Sequence, residues 1–117
     1  MPVTIYHNPR CTKSRQTLAL LEQYGIKPKV IEYLVTQPTE AELKRRLKLL
    51  GMAPRELLRR KEAEYEQAGL DRPDATDAEI VRAMVKYPRL IERPIVVSGN
   101  KAALGRPPEN VFKILRE

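Results

Sequence analysis

Ile5-Tyr6-His7-Asn8-Pro9-Arg10-Cys11-Thr12-Lys13-Ser14-Arg15 holds the only cysteine of the chain, and the change of periodicity across it sets the fold. Upstream, Val3, Ile5 and His7 alternate with Thr4 and Tyr6, the period-two pattern of a strand. Asn8-Pro9 ends that strand. From Thr12 the residues turn polar and then place Leu18, Leu20, Leu21 and Tyr24 as an apolar stripe at helical spacing, stopping at Gly25, a residue type suited to a left-handed C-terminal cap. Cys11 therefore falls where a strand becomes the first turn of a helix. Unpaired amides and the positive end of the helix dipole favour an anion there, either a thiolate or a bound oxyanion. Arg10, Lys13 and Arg15 add positive charge, and such surroundings move a thiol pKa from ~8.5 to roughly 4–7. The competing reading of Cys11 is an inert buried hydrophobe, which has no reason to be surrounded by cations in a turn. A lone histidine on a strand is more often a hydrogen-bonded structural residue than a base, so His7 is read as structural, with a direct catalytic role as the alternative and tuning of the thiolate open to it.

One cysteine cannot close an internal disulfide, and with one histidine it supplies too few ligands for a closed zinc site. No metal is expected, and any redox cycle must borrow a thiol from outside. With 117 residues, 42% hydrophobic and 32% charged, the chain reads as a single domain able to build a core without staples. No apolar run approaches the ~20 residues of a membrane helix, and the first residues enter a strand pattern without a signal-peptide core. A cytoplasmic monomer making no membrane contact is the expectation. A net charge of +7 invites a nucleic-acid reading. The basic residues are dispersed among 15 acidic ones, however, with one Phe, no Trp and no zinc-finger or RNP pattern, so no nucleic-acid partner is expected. A positive surface serves equally to attract a small anion.

Beyond Gly25, Lys29–Leu34 is rich in Val, Ile and Tyr and reads as a second strand. The intervening helix makes the two strands parallel, a right-handed βαβ unit with Cys11 at the C-terminal edge of its first strand, where α/β proteins usually hold ligands. Thr39-Glu40-Ala41-Glu42 is a capping-box signature before Leu43, Leu47 and Leu50, and Gly51 closes that helix. Pro54 opens a short helix carrying Leu57 and Leu58 and ending in Arg59-Arg60-Lys61. Two readings of that run stand level: a solvated helix end favoured by the dipole, or an anion-facing arm. Glu62 to Asp74 reads as a loop pinned by Tyr65 and Leu70. A second capping box, Thr76 to Glu79, starts a helix on which Ile80, Met84 and Tyr87 repeat until Pro88. Leu90 and Ile91 are expected core contacts. Pro94–Val97 is a strand, Ser98–Lys101 a turn, and Ala102–Leu104 an antiparallel return. Pro107-Pro108 initiates a last helix with Val111, Phe112, Ile114 and Leu115 buried. The order is β, α, β, three helices, β, β, α. This is α/β: a thioredoxin-like mixed four-stranded sheet with a helical insertion, about 39–88, between a βαβ and a ββα half.

His7–Arg15, the central Glu56–Leu70, Leu90–Val97 and Gly105–Val111 resemble, in that order, the motifs of the glutathione- and glutaredoxin-coupled arsenate reductase family. The blocks span nearly the whole chain and are specific together rather than singly. The resemblance implies that Cys11 attacks the oxyanion and that Arg59, Arg93 and Arg106 hold it, with His7, Ser14, Arg15 and Pro94 in support. It implies no bound cofactor, glutathione as co-substrate, glutaredoxin as partner, and arsenate or a similar small oxyanion as substrate. Pro94 falls where thioredoxin folds usually place a cis proline. The chain stops at Glu117, short of the C-terminal extension of the longer family members, and so resembles a short branch. Two rivals remain: a glutathione-dependent thiol/disulfide reductase of the same fold, and an Spx-like partner-binding regulator. The regulator's usual CxxC is absent, since Cys11 is followed by Thr12, Lys13 and Ser14.

Overall fold

Alternation at the N-terminus becomes the central strand: in the computed structural model, which describes residues 2–115, β1 (Val3–His7) buries Val3, Ile5 and His7 and leaves Thr4 and Tyr6 half-buried. It runs parallel to β2 (Lys29–Glu32), with Thr4 opposite Lys29 and His7 opposite Glu32. On its other side it pairs antiparallel with β3 (Ile95–Ser98), which pairs antiparallel with β4 (Lys101–Leu104). The result is the expected mixed sheet of four strands, ordered β2-β1-β3-β4. The second strand ends at Glu32, because Tyr33–Val35 turns instead of extending to Leu34.

Helix α1 (Thr12–Gln23) packs on this sheet, and the core joins Val3, Ile5 and Val96 of the strands to Leu21, Val111 and Ile114. Each such aliphatic side chain contributes ~1.5–3 kcal/mol when fully withdrawn from water. Gly25 caps α1 at φ +77°, its N–H donating to Glu22 O while Ile26 N–H reaches back to Leu21 O, the Schellman arrangement. Tyr24, expected on the buried stripe, is 63% exposed and meets Phe112 edge-on, with centroids 4.9 Å apart. The expected last helix divides into a 3₁₀ turn (Pro108–Val111) and a short α6 (Phe112–Leu115); Val111 and Ile114 are buried, Phe112 and Leu115 only partly.

Two compact units divide the chain: Met1–Thr36 with Arg93–Glu117, which contains the sheet, and Gln37–Glu92. The second unit holds the helices that lie between β2 and β3 in sequence. It contains α2 (Glu40–Leu50), α3 (Pro54–Leu57), α4 (Ala63–Gln67), α5 (Asp77–Lys86) and a 3₁₀ turn (Pro88–Leu90). Both halves of the Thr39–Glu42 capping box form. At α5 only the Thr76 side chain accepts from Glu79 N–H, because the Glu79 carboxylate turns to Arg72 and the Thr76 hydroxyl. The segment read as a loop contains α4. Its Gly69 and Pro73 lie beyond that helix, and Arg55 gathers the following turn by donating to the carbonyls of Leu70, Arg72 and Ala75. Helix α3 stops at Leu57, and Leu58 instead bridges to Ile91. Among the described residues no helix is long and apolar enough to cross a membrane.

Candidate active site

Asn8 builds the turn that presents the cysteine. Its side-chain oxygen accepts from Arg10 N–H and its carbonyl from Cys11 N–H, both at 3.0 Å. Cys11 then occupies the N-cap of α1 in extended conformation, φ −94° and ψ 124°. The first turn of α1 contains no Asp or Glu, so no acidic side chain of that turn competes with the sulfur for the positive end of the helix. Burial pushes the thiol pKa up, but the Ser14 N–H, the hydrogen bond and charge of the Arg93 guanidinium, and the Lys13 N–H together hold it below the ordinary thiol range. The adjoining cations were expected to supply this effect, yet the guanidinium at the sulfur comes from Arg93 in the other half of the chain. Arg15 instead braces the turn, donating to Pro9 O at 2.9 Å and Thr12 Oγ1 at 3.3 Å.

Ser14 lies fully buried beneath the turn. Its hydroxyl oxygen accepts from Asn8 N–H at 3.0 Å and lies 2.6 Å from His7 Nδ1. A serine has one proton to give; donated to Nδ1, it makes His7 the tautomer protonated on Nε2. Burial pushes the His7 pKa down, with Glu32 opposing and Arg15 reinforcing, so a neutral imidazole fits this arrangement. His7 and Ser14 are thus tied to one another and to Asn8 in the turn that leads into α1.

Arg93 enters the site immediately before β3, through a cis Arg93–Pro94 bond. Burial pushes its pKa down, and contacts with Cys11 and Tyr33 push it up, with the net shift upward. Tyr33, only 2% exposed, is a site residue that sequence reasoning missed, having been taken for part of a strand. The Arg93 Nε is buried and finds no hydrogen-bond acceptor among the described residues. Arg106, preceding a second cis proline bond to Pro107, donates from Nη1 to Arg93 O at 3.4 Å. Cys11, Arg93 and Arg106 are therefore gathered within the first unit, together with His7, Ser14, Arg15 and Pro94. Gly105 permits this closeness. Its N–H donates to Pro94 O at 2.9 Å, and a Cβ there would stand 2.8 Å from Pro94 Cγ and collide with the Thr17 side chain of α1.

Arg59 lies in the second unit, in the extended segment after α3, so the solvated-helix-end reading fails for it. Its Nη1 donates to Glu92 Oε1 at 2.8 Å, its Nε stands 3.4 Å from Glu62 Oε1, and its side chain is 20% exposed. Glu62 also receives Arg89 at 3.2 Å. Acidic neighbours thus compensate Arg59.

The model of the ArsC family matches residues 6–114. An arsenate reductase of Haemophilus influenzae is 48% identical over 116 residues, covering 98% of this chain and 100% of that protein. The uncharacterized protein YfgD of Escherichia coli is 49% identical over 114 residues, covering 97% and 96%. Among solved structures, an arsenate reductase from Vibrio cholerae superposes with a TM-score of 0.94 at 50% identity, covering 97% of this chain and 98% of that one.

Proposed function

The chain belongs to the ArsC family, and from that membership we propose that it reduces arsenate to arsenite, with Cys11 as nucleophile. One observation carries the reading: a cysteine sulfur at a helix N-terminus with a guanidinium on it, whose buried Nε has no acceptor. A buried donor without a partner costs ~1–3 kcal/mol, and an arsenate oxygen would remove that cost. Guanidinium groups are permanently charged planar forks suited to tetrahedral oxyanions. Arg93 is assigned to the anion on this basis, and Arg59 and Arg106 by their places in the family motifs.

In the proposed cycle the Cys11 thiolate attacks arsenic, a sulfur–arsenic bond forms, and one arsenate oxygen leaves as water, taking the proton of the dianion and a second from solvent. The arginines offset the charge on the remaining oxygens. Glutathione sulfur next attacks the Cys11 sulfur. The sulfur–arsenic bond breaks with its electron pair going to arsenic, which falls from the +5 to the +3 state, while the two sulfurs are oxidised to a mixed disulfide. Glutaredoxin thiolate takes the glutathionyl sulfur and frees Cys11, since the chain has no second cysteine to resolve it. A thiol that must be regenerated in this way suits the reducing cytoplasm.

The test is NADPH consumption with glutathione, glutaredoxin and glutathione reductase supplied. Consumption that requires arsenate and is lost in Cys11→Ser is the expected result. Turnover of a mixed disulfide without any response to arsenate would overturn the proposal in favour of the thiol reductase. No turnover of either kind, with stable capture of RNA polymerase, would favour the regulator.

A further inference from the structure

Beside Cys11, Lys13, Gln16 and Leu20 fall on one face of α1 and line a cavity of about 300 Å³ whose other wall is Pro107, Pro108 and Glu109. Its volume is at the lower limit of small-molecule sites, which run from roughly 300 to 1,000 Å³. We propose that this groove is the subsite for the γ-glutamyl arm of the thiol co-substrate, with Lys13 taking its α-carboxylate and Glu109 its α-ammonium. The inference rests on the reading of Cys11 as a thiol-dependent nucleophile, and it adds where the external thiol is held.

Three features of the groove carry it. The first is position: one wall starts at Lys13, two residues from the nucleophile, the other at Pro107, next to Arg106, and from Lys13 to Leu20 the groove runs about 10 Å along the helix at 1.5 Å per residue. An extended tripeptide spans at most roughly 10–11 Å; with its cysteine at Cys11, one arm lies along this groove. Chemistry is the second. A zwitterionic amino-acid head needs one cation and one anion within a few ångströms, and one cavity wall offers Lys13 while the other offers Glu109. Neither makes an ion pair or side-chain hydrogen bond with another described residue. Gln16 adds an amide that can both donate and accept to a peptide bond, and Leu20 with the two prolines supplies the apolar floor. The third is fixity. Thr17, between Gln16 and Leu18, donates from Oγ1 to Lys13 O at 2.8 Å and stands 3.3 Å from Gly105 O, tying α1 to the segment that leads into Pro107. The groove walls are thus held at a set separation, which reduces the ordering cost of binding. The larger cavity of about 620 Å³ near Lys27 and Lys101 contains no residue of the Cys11 turn, so a thiol bound there gains no access to the reacting sulfur.

S-methylglutathione, which binds without reacting, separates this inference from the activity. Titrated into the folded protein and followed by amide chemical shifts, it should move Lys13, Gln16, Leu20 and Glu109. Glu109→Gln and Lys13→Gln should each weaken its binding 5-fold or more. In kinetics, wild type should prefer glutathione over cysteinylglycine, which lacks the γ-glutamyl head, and both variants should bring that preference towards unity. The pH profile of iodoacetamide alkylation in Glu109→Gln, a residue with no role at the thiolate, should match wild type, so that weakened binding in this variant reports the subsite alone. If S-methylglutathione moves these amides but arsenate is not reduced, the subsite stands and the arsenate reading falls. If arsenate is reduced while the shifts cluster around Lys27 and Lys101, or nowhere, the subsite is overturned and the activity stands.

Discussion

Cys11 illustrates how a single residue serves two purposes. As N-cap of a helix without an acidic first turn, its thiolate is the anion that helix lacks. The lowered thiol pKa predicts that alkylation by iodoacetamide retains its rate below pH 8.5, the ordinary midpoint for a free thiol. Replacing Arg93 with Lys should move the alkylation midpoint up, because the fork on the sulfur is removed. A midpoint at 8.5 or above in wild type would remove the activated nucleophile from the scheme. His7 gives a second, independent titration. Its folded pKa lies below the ordinary 6.5, so on acidification the unfolded chain takes up the proton first. The stability His7 contributes is complete above pH 6.5 and is lost as pH falls towards the folded value. Thermal melts at pH 7.5 and 5.5 should show a drop in Tm that is smaller in His7→Gln, a variant able to accept from Ser14 without titrating. Equal drops in both proteins would place the acid sensitivity elsewhere.

Among the elements, legibility followed the signal each one carries. Strand β1, helix α1 and the start of α2 could be read because alternation, helical spacing and a capping box are local patterns, and each formed within a residue or so of expectation. Helix α4 could not, since its short polar run has no buried residue and no periodicity. What orders the segment after it is Arg55, a long-range clamp on three carbonyls that leaves no mark in the neighbouring sequence. The candidate site divides likewise. Cys11 at a helix start was evident from composition, whereas the source of its stabilising charge, Arg93 braced by Tyr33, depends on β3 lying beside β1. Gly105 shows an element-scale constraint that its conformation alone does not reveal, because its need for glycine comes from crowding by Thr17 and Pro94. Gly105→Ala should cost about 1–3 kcal/mol through overpacking, read as a Tm lowered by several degrees. The same variant should lose activity at temperatures where it stays folded, since α1 and Pro94 both flank Cys11. An unchanged Tm would mean that the segment shifts aside without penalty.

At the scale of the molecule, an excess of 7 positive charges draws dianions towards the surface but does not select among them. The proposed function assigns selection to the arginines, and substituting them one at a time tests whether they act as a clamp. A lysine keeps the charge and loses the planar fork, so a change at a true oxyanion contact should reduce kcat/KM for arsenate by roughly 10-fold or more, at ~1.4 kcal/mol per decade. Arg93→Lys should be the most damaging, because it changes both the anion contact and the thiolate. Arg106→Lys should mainly raise KM. Arg59→Lys carries a second liability: it loosens a guanidinium held by Glu62 and Glu92, so its Tm must be measured beside its kinetics. Arg82, exposed on α5, is the comparator, for which a surface change within ~0.5 kcal/mol and near-normal activity are expected. If Arg93→Lys and Arg106→Lys behave like Arg82→Lys while remaining folded, the clamp is wrong and the protein handles another substrate. If only Arg59→Lys matches the control, its carboxylate partners define its role, and it belongs to the packing of the helical unit rather than to the anion.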